Sequence, residues 1–257
     1  MINLKKTINY PKNFFNKFIF KNFGFDNYIG KDLKKKTLKQ FNGIGDLTND
    51  ISEIILEAGF IKLPILEEDY LDKIINEYNY IINSYKKLKI DFQEHDGVCV
   101  RAIPLWILNP VKFKYSFNFF QNEFFYEITK KFFEKKGIKN FSFNNEAFFH
   151  KTTSTKMPLS DKYHYDIRPC LKFWLYLNDI GIENGPMSVE KKSSKRNEKL
   201  SLAKKNNDDN LVKVDLNNCE KLIGKKGAII IHDTNSSHKA NKVFENYERN
   251  IIRAHSW

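Results

Sequence analysis

From Phe141 onward the chain breaks into short apolar segments, each closed within a few residues by a turn. They are Phe141–Phe149, Tyr163–Asp166, Leu171–Leu177, Met187–Val189, Leu211–Val214, Ala228–His232 and Arg249–Ala254. Segments this short and this regularly spaced predict an antiparallel barrel or sandwich. Upstream the period changes. Leu71, Ile74, Ile75, Tyr78, Ile81, Ile82 and Tyr85 recur at helical spacing, behind Glu67-Glu68-Asp69, acids that suit the positive end of a helix. Phe117, Phe120, Phe124, Ile128 and Phe132 predict a second helix that stops near Lys135, Lys136 and Gly137. Ala58–Pro64 reads as a short strand, and Val98–Leu108 as another broken by Pro104. The class this supports is mainly β with flanking helices.

Residues 1 to about 50 differ in composition. Ten lysines stand against Asp26 and Asp32 between Met1 and Phe41, interleaved with phenylalanines, and Phe14, Phe15, Phe18, Ile19 and Phe23 fall at helical spacing. Such a helix suits an anionic membrane surface; packing against the body of the same protein is the favoured reading. Gly43 and Gly45 mark the junction, which divides the chain into a basic aromatic extension, 1–50, and a domain, 51–257. Net charge is +12, which suits an anionic small-molecule partner; with no recognition motif, no nucleic acid is expected. Oligomeric state is not readable. Cys99, Cys170 and Cys219 are widely spaced, which fits neither a disulfide framework nor a thiolate zinc site and does fit a reducing cytoplasm. No run reaches the ~18 apolar residues that a membrane span needs. The expected place is the cytoplasm, with contact at the inner face of a membrane through residues 1–50 as the open alternative. The charged stretch from Lys191 to Asn210 lacks periodicity and reads as a solvated loop.

His164 and Asp166 stand two apart in the segment before Leu171–Leu177, so in a strand both point to one side. Two ligands do not hold a catalytic metal. His238 follows the buried run Ala228–His232, and Arg249, eleven residues later, opens the last strand. Two neutral imidazoles and one carboxylate on one face of Fe(II) leave positions open for a cosubstrate and O2. An arginine offers a planar fork to a distant carboxylate. His232 competes as third ligand, but it ends an apolar strand and its distance to Arg249 fits less well. His95, His150 and His255 have no partner pattern.

With Asn184-Gly185-Pro186-Met187 between the two histidines, the order and spacing resemble the phytanoyl-CoA dioxygenase-like family of Fe(II)/2-oxoglutarate oxygenases. Gly59-Phe60-Ile61-Lys62-Leu63 before an acid-started helix is similar to that family's opening, so the resemblance runs from about Glu57 to Trp257. Lys192-Ser193-Ser194-Lys195 departs from the family's Gly-Ser-His-Lys, and Lys239-Ala240-Asn241 replaces its glycine-rich stretch. The resemblance implies a double-stranded β-helix, a cupin-like jelly roll with helices outside. It implies His164, Asp166 and His238 as the iron ligands and catalytic centre, with 2-oxoglutarate as cosubstrate and O2 as oxidant. Arg249 would anchor 2-oxoglutarate, with Arg253 on the same face of the strand, and Trp174 would line the cosubstrate pocket. Arg168 and Arg101 are weaker candidates for an acidic group on the substrate.

The activity implied is hydroxylation of an aliphatic C–H in a small anionic substrate, such as an activated sugar, a lipid-linked intermediate or an acyl intermediate, with succinate and CO2 released. The carboxylate Asp166 argues against the halogenating variant, which needs a small residue there. The rival is a cupin-like protein, isomerase or binding module, that binds metal and consumes no 2-oxoglutarate.

Overall fold

The computed structural model describes residues 28–41, 46–88, 92–95, 98–104, 111–154, 162–203 and 210–257, with the side chains of 85–88, 92–95 and 98–104 left out. The helix expected over Phe14–Phe23 and the Gly43–Gly45 junction lie outside the described residues.

Helix α1 (Tyr28–Gln40) and helix α2 (Leu47–Ala58) come first. The Asp46 side chain accepts from Asn49 N at the head of α2, and Gly59 ends that helix at φ +90. Strand β1 (Phe60–Leu63) leads to α3 (Glu68–Leu88), which begins with two acids as expected. Strands β2 (Phe92–His95) and β3 (Val98–Pro104) form a hairpin, and Pro104 is the last residue of β3 rather than a break within it.

The phenylalanine stripe expected to make one helix makes two, α4 (Lys114–Phe120) and α5 (Glu123–Lys135). Asn122 separates them: its side chain accepts from Phe125 N at 2.9 Å and caps the new helix. The strands that follow are β4 (Glu146–Thr152), β5 (Leu171–Tyr176), β6 (Met187–Glu190), β7 (Cys219–Lys221), β8 (Ile229–Asp233), β9 (His238–Ala240) and β10 (Arg249–Ser256). Helix α6 (Ser194–Ala203) interrupts them, in the stretch that reads as a loop.

The strands make two antiparallel sheets. The larger has the order β1-β8-β5-β10-β4-β3-β2 and the smaller β7-β6-β9. The segment Tyr163–Asp166 is extended but too short for a ladder. His164 bridges both Leu211 and His238, so it borders β9, and the expected strand Leu211–Val214 reduces to that bridge. From β4 to β10 the chain passes repeatedly between the sheets.

Period two divides the larger sheet. Leu171, Phe173, Leu175, Ile229, Ile231, Ile252, Ala254, Ala147 and Phe149 face the helices, in one core with Ile29 and Leu33 of α1, Ile51 and Ile55 of α2, Ile74 and Tyr78 of α3 and the phenylalanines of α4 and α5. Phe125 and Phe173 have ring centroids 4.8 Å apart across that boundary. The alternate residues, Phe60, Tyr176, Ile230 and Ile251, pack with Met187, Val189 and Leu222 between the sheets. Among the described residues no helix is long and apolar enough to cross a membrane.

Candidate metal centre and its cationic wall

The exchanged backbone bonds of His164 and His238 (His164 N to His238 O, 3.0 Å; His238 N to His164 O, 2.8 Å) place the two imidazoles side by side. Their ring centroids are 4.4 Å apart. Asp166 N donates to Thr234 O at 2.8 Å, and Asn235 Nδ2 donates to Asp166 O at 2.7 Å, which turns the carboxylate to the same side. One possible ligand atom from each of His164, Asp166 and His238 lies within 4.8 Å of the other two. The sequence separates these residues by up to 74 positions; the sheet register brings them to one point.

The donor set fits a divalent metal. Nδ1 of His164 is 3.0 Å from Lys162 O, and Nδ1 of His238 is 2.8 Å from Ser236 O. A carbonyl can only accept, so each Nδ1 carries the proton and each Nε2 keeps a bare lone pair. Burial, reinforced by Lys172, lowers His238 to about 3 and keeps it neutral, as a ligand must be. Burial pushes the Asp166 carboxyl up, but the charge and hydrogen bond of the Lys172 ammonium oppose it, and the net shift is downward. The Lys172 ammonium sits 3.0 Å from Asp166 Oδ2.

Lys172 carries no signal in a His-x-Asp pattern, yet it stands on β5 two residues before Trp174, on the same side of the sheet. Across that face the register gives Phe60, His232, Lys172 and His255 in one row, then Lys62, Ile230, Trp174, Arg253 and Phe148 in the next. Arg249 lies further along β10, opposite Thr152. Among the described residues, both ring nitrogens of His232, Nε2 of His150 and of His255, Nε1 of Trp174 and Nε of both arginines are buried without a hydrogen-bond partner. His232, whose ring centroid is 4.8 Å from that of His238, stands beside the cluster and not in it.

Arg249 donates from Nη1 to the Gly185 carbonyl. This gives Asn184-Gly185-Pro186 a physical meaning. Asn184 ties the turn together by accepting from Gly181 N at 2.9 Å and donating to Glu248 O at 2.7 Å. Gly185 has φ +66, and a Cβ there would stand 2.5 Å from Asn241 O. Of the weaker candidates, Arg168 is exposed on the bend between Asp166 and β5, where the strand does not continue. Arg101 is in register with Phe149, and its side chain lies outside the described residues.

Helix α6 holds the turn that carries His238. Ser194 Oγ donates to Asp233 Oδ2 at 2.7 Å, Asn197 Nδ2 donates to Asn235 O at 2.8 Å and to Ser237 Oγ at 2.9 Å, and Ser237 N donates to Ser193 Oγ at 2.8 Å. Asp233, fully buried, is also 3.3 Å from the Lys136 ammonium. Ser193 and Ser194, which depart from the resembled motif, are thus fasteners of the loop beside the centre. On the other side Gly59 O accepts from Asp233 N at 2.8 Å, and a Cβ on Gly59 would meet Ser236 Oγ at 2.4 Å.

No family model matches the sequence, and no curated protein matches it. Solved structures do match. The non-heme alpha ketoglutarate dependent epimerase SnoN from nogalamycin biosynthesis is 10% identical, with a TM-score of 0.56 over 82% of this chain and 82% of that one. AviO1 from Streptomyces viridochromogenes Tue57 is 14% identical, with a TM-score of 0.54 over 80% of this chain and 93% of its own. EctD from S. alaskensis, solved with 2-oxoglutarate and 5-hydroxyectoine, is 12% identical, with a TM-score of 0.54 over 80% of this chain and 74% of its own. At these identities the likeness is one of fold: this chain shares its architecture with non-heme iron, 2-oxoglutarate-dependent enzymes.

Proposed function

We propose that the chain is a non-haem Fe(II)/2-oxoglutarate-dependent oxygenase that hydroxylates an aliphatic C–H of a small anionic substrate. Its two antiparallel sheets, between which the chain crosses several times from β5 to β10, are read as a double-stranded β-helix. The observation that carries the reading is the convergence of His164, Asp166 and His238, with both Nδ1 atoms tied to carbonyls and both Nε2 atoms free. Similarity in fold to enzymes described as 2-oxoglutarate-dependent supports it. The Gly59, Asn184-Gly185-Pro186 and Arg249 positions favour a relative of the phytanoyl-CoA dioxygenase-like family.

With iron, 2-oxoglutarate and O2 bound, the centre supplies an oxidant able to take hydrogen from an unactivated carbon, and releases succinate and CO2. The side chains prepare for that. His164, Asp166 and His238 would hold the metal. Lys172, 3.0 Å from Asp166 Oδ2, keeps that carboxylate ionised, as a ligand would need to be. The guanidinium of Arg249 receives the far carboxylate of the cosubstrate, at a depth where Ile251, Tyr176 and Val189 exclude water. Trp174 lines the space between.

The test is aerobic incubation with Fe(II), ascorbate and 2-oxoglutarate, with succinate measured. Succinate above the blank, lost in Asp166→Ala, is expected; metal binding without any succinate would favour the cupin-like isomerase or binding module. Neighbours described as an epimerase and a carbocyclase favour a second outcome, in which hydrogen abstraction ends without oxygen insertion. Product mass separates the two, since hydroxylation adds one oxygen atom. Membrane contact through residues 1–50 is tested by flotation with anionic vesicles, with the extension present and removed.

A further inference from the structure

The space between the sheets carries more positive charge than the proposed chemistry uses. A dication, one carboxylate and a doubly charged cosubstrate leave one net negative charge, which Lys172 balances. Arg249 and Arg253 remain, both drawn below the usual guanidinium range by burial, Arg253 to about 10. Arg249 has the Gly185 carbonyl. Arg253 makes no hydrogen bond or ion pair among the described residues, although its guanidinium carbon lies 4.9 Å from the Phe148 ring centroid and 5.5 Å from that of Trp174.

Two rings hold the guanidinium plane and leave its hydrogen-bonding edge for something else. The carboxylate nearest in effect is Asp166, but Asp166 pairs with Lys172 and belongs to the metal set. Glu146, at the end of β4 on the same face, has no charged partner and does not reach Arg253. His255, two residues further along β10, and His150, opposite Ile251 on β4, share the face of Arg253, and burial holds both neutral, so neither supplies a counter-charge. A buried guanidinium without a partner is costly, and the cost is recovered when an oxyanion fills the fork.

We propose that Arg253 binds an oxyanion on the substrate, carboxylate or phosphate, and so selects an anionic molecule and sets which carbon faces the metal. This rests on the oxygenase reading. The register supports separate tasks for the two arginines. Arg253 stands one side-chain row from Lys172, roughly 7 Å along the strand, whereas Arg249 is four residues further away, roughly 13 Å. The near one serves the substrate and the deep one the cosubstrate.

The test uses the full chain loaded with Mn(II) under argon. Calorimetry measures 2-oxoglutarate binding first, then inorganic phosphate and acetate binding to the resulting complex, for wild type, Arg249→Met, Arg253→Met and Arg253→Lys. Arg249→Met is expected to weaken 2-oxoglutarate at least tenfold. Arg253→Met should change 2-oxoglutarate less than threefold while weakening phosphate or acetate at least tenfold, with partial recovery in Arg253→Lys. Preference for phosphate or for acetate assigns the class of oxyanion. A tenfold loss of 2-oxoglutarate in Arg253→Met would make Arg253 the cosubstrate anchor and overturn the proposal, as would absent or unchanged phosphate and acetate binding. If wild type with Mn(II) takes up no 2-oxoglutarate, the oxygenase reading fails instead. Phosphate binding to metal-free wild type against Arg253→Lys then decides whether the oxyanion site exists without it.

Discussion

The two faces of the larger sheet are built from the same strands, residue by residue, yet obey different rules. In the helix layer packed on one face, most buried polar groups find partners among the described residues, Ser116 Oγ being an exception: Thr129 Oγ1 donates to Phe125 O at 2.8 Å, Gln121 Nε2 to Asn144 O at 2.7 Å and Ser52 Oγ to Thr48 O at 2.7 Å. Between the sheets, His150, His232, His255, Trp174, Arg249 and Arg253 bury polar atoms that have none. An unsatisfied buried group costs about 1–3 kcal/mol. Several of them on one face is what a site completed by a ligand would leave. On this division the helix side carries stability, and the inner side is where the proposed function lies.

The sharpest way to break this division is Asp166→Ala. Succinate production should fall below detection and Mn(II) affinity should collapse, while the urea unfolding midpoint stays close to wild type. A large loss of stability with intact metal binding would invert the assignment. Phe173→Ala, on the helix side of the neighbouring strand, should do the opposite. Phe173 is fully buried against Phe125, so about 3–5 kcal/mol of unfolding free energy should be lost. Metal affinity per folded molecule should hold.

Helix α6 tests where the division blurs. Its polar residues fasten the turn that leads to His238, so Asn197→Ala should cost about 1–3 kcal/mol in urea unfolding. It should also weaken Mn(II) binding, since groups that orient a ligand are worth roughly ten- to a hundredfold in affinity. A loss of stability with unaltered metal affinity would reduce α6 to a structural prop.

That helix also shows how far the sequence is legible. Period-two and period-3.6 patterns found β4, β5, β8, β10, α3 and the phenylalanine helices, because those elements bury apolar side chains on one face. Lys191–Asn210 reads as a loop because α6 buries Ser194 and Asn197 instead, and hydrogen bonding to a neighbouring turn leaves no apolar period. Strand β9 escapes for a similar reason, being three residues long and beginning with His238 itself. His164, Asp166, His238 and Arg249 are recognisable by order and spacing, and the fold brings the first three together. Lys172 is not recognisable that way, since its meaning depends on a fold that turns β5 back toward Asp166. The same holds for His150 and His255, which have no pattern in sequence and line the inner face in space.

The smallest effect concerns a carboxylate that the helix side buries without a cation among the described residues. Glu77 on α3 accepts from Tyr115 N at 3.0 Å and Ser116 N at 2.7 Å, closing the open end of α4. Burial raises its pKa above 4.5 despite those donors. The folded chain therefore holds this proton to higher pH than the unfolded chain does. Below the ordinary glutamate value both states are protonated, and Glu77 gives no slope. As pH rises from there to the raised value, the unfolded state releases its proton first and gains, so stability falls; above the raised value the loss is constant. Glu77→Gln keeps one oxygen acceptor and has no proton to lose. Urea unfolding at a series of pH values should show wild type losing stability relative to Glu77→Gln across that window. Parallel curves would mean that the two amide donors offset the burial fully, and that polar groups on the helix side are as well satisfied in their charged form as in their neutral one.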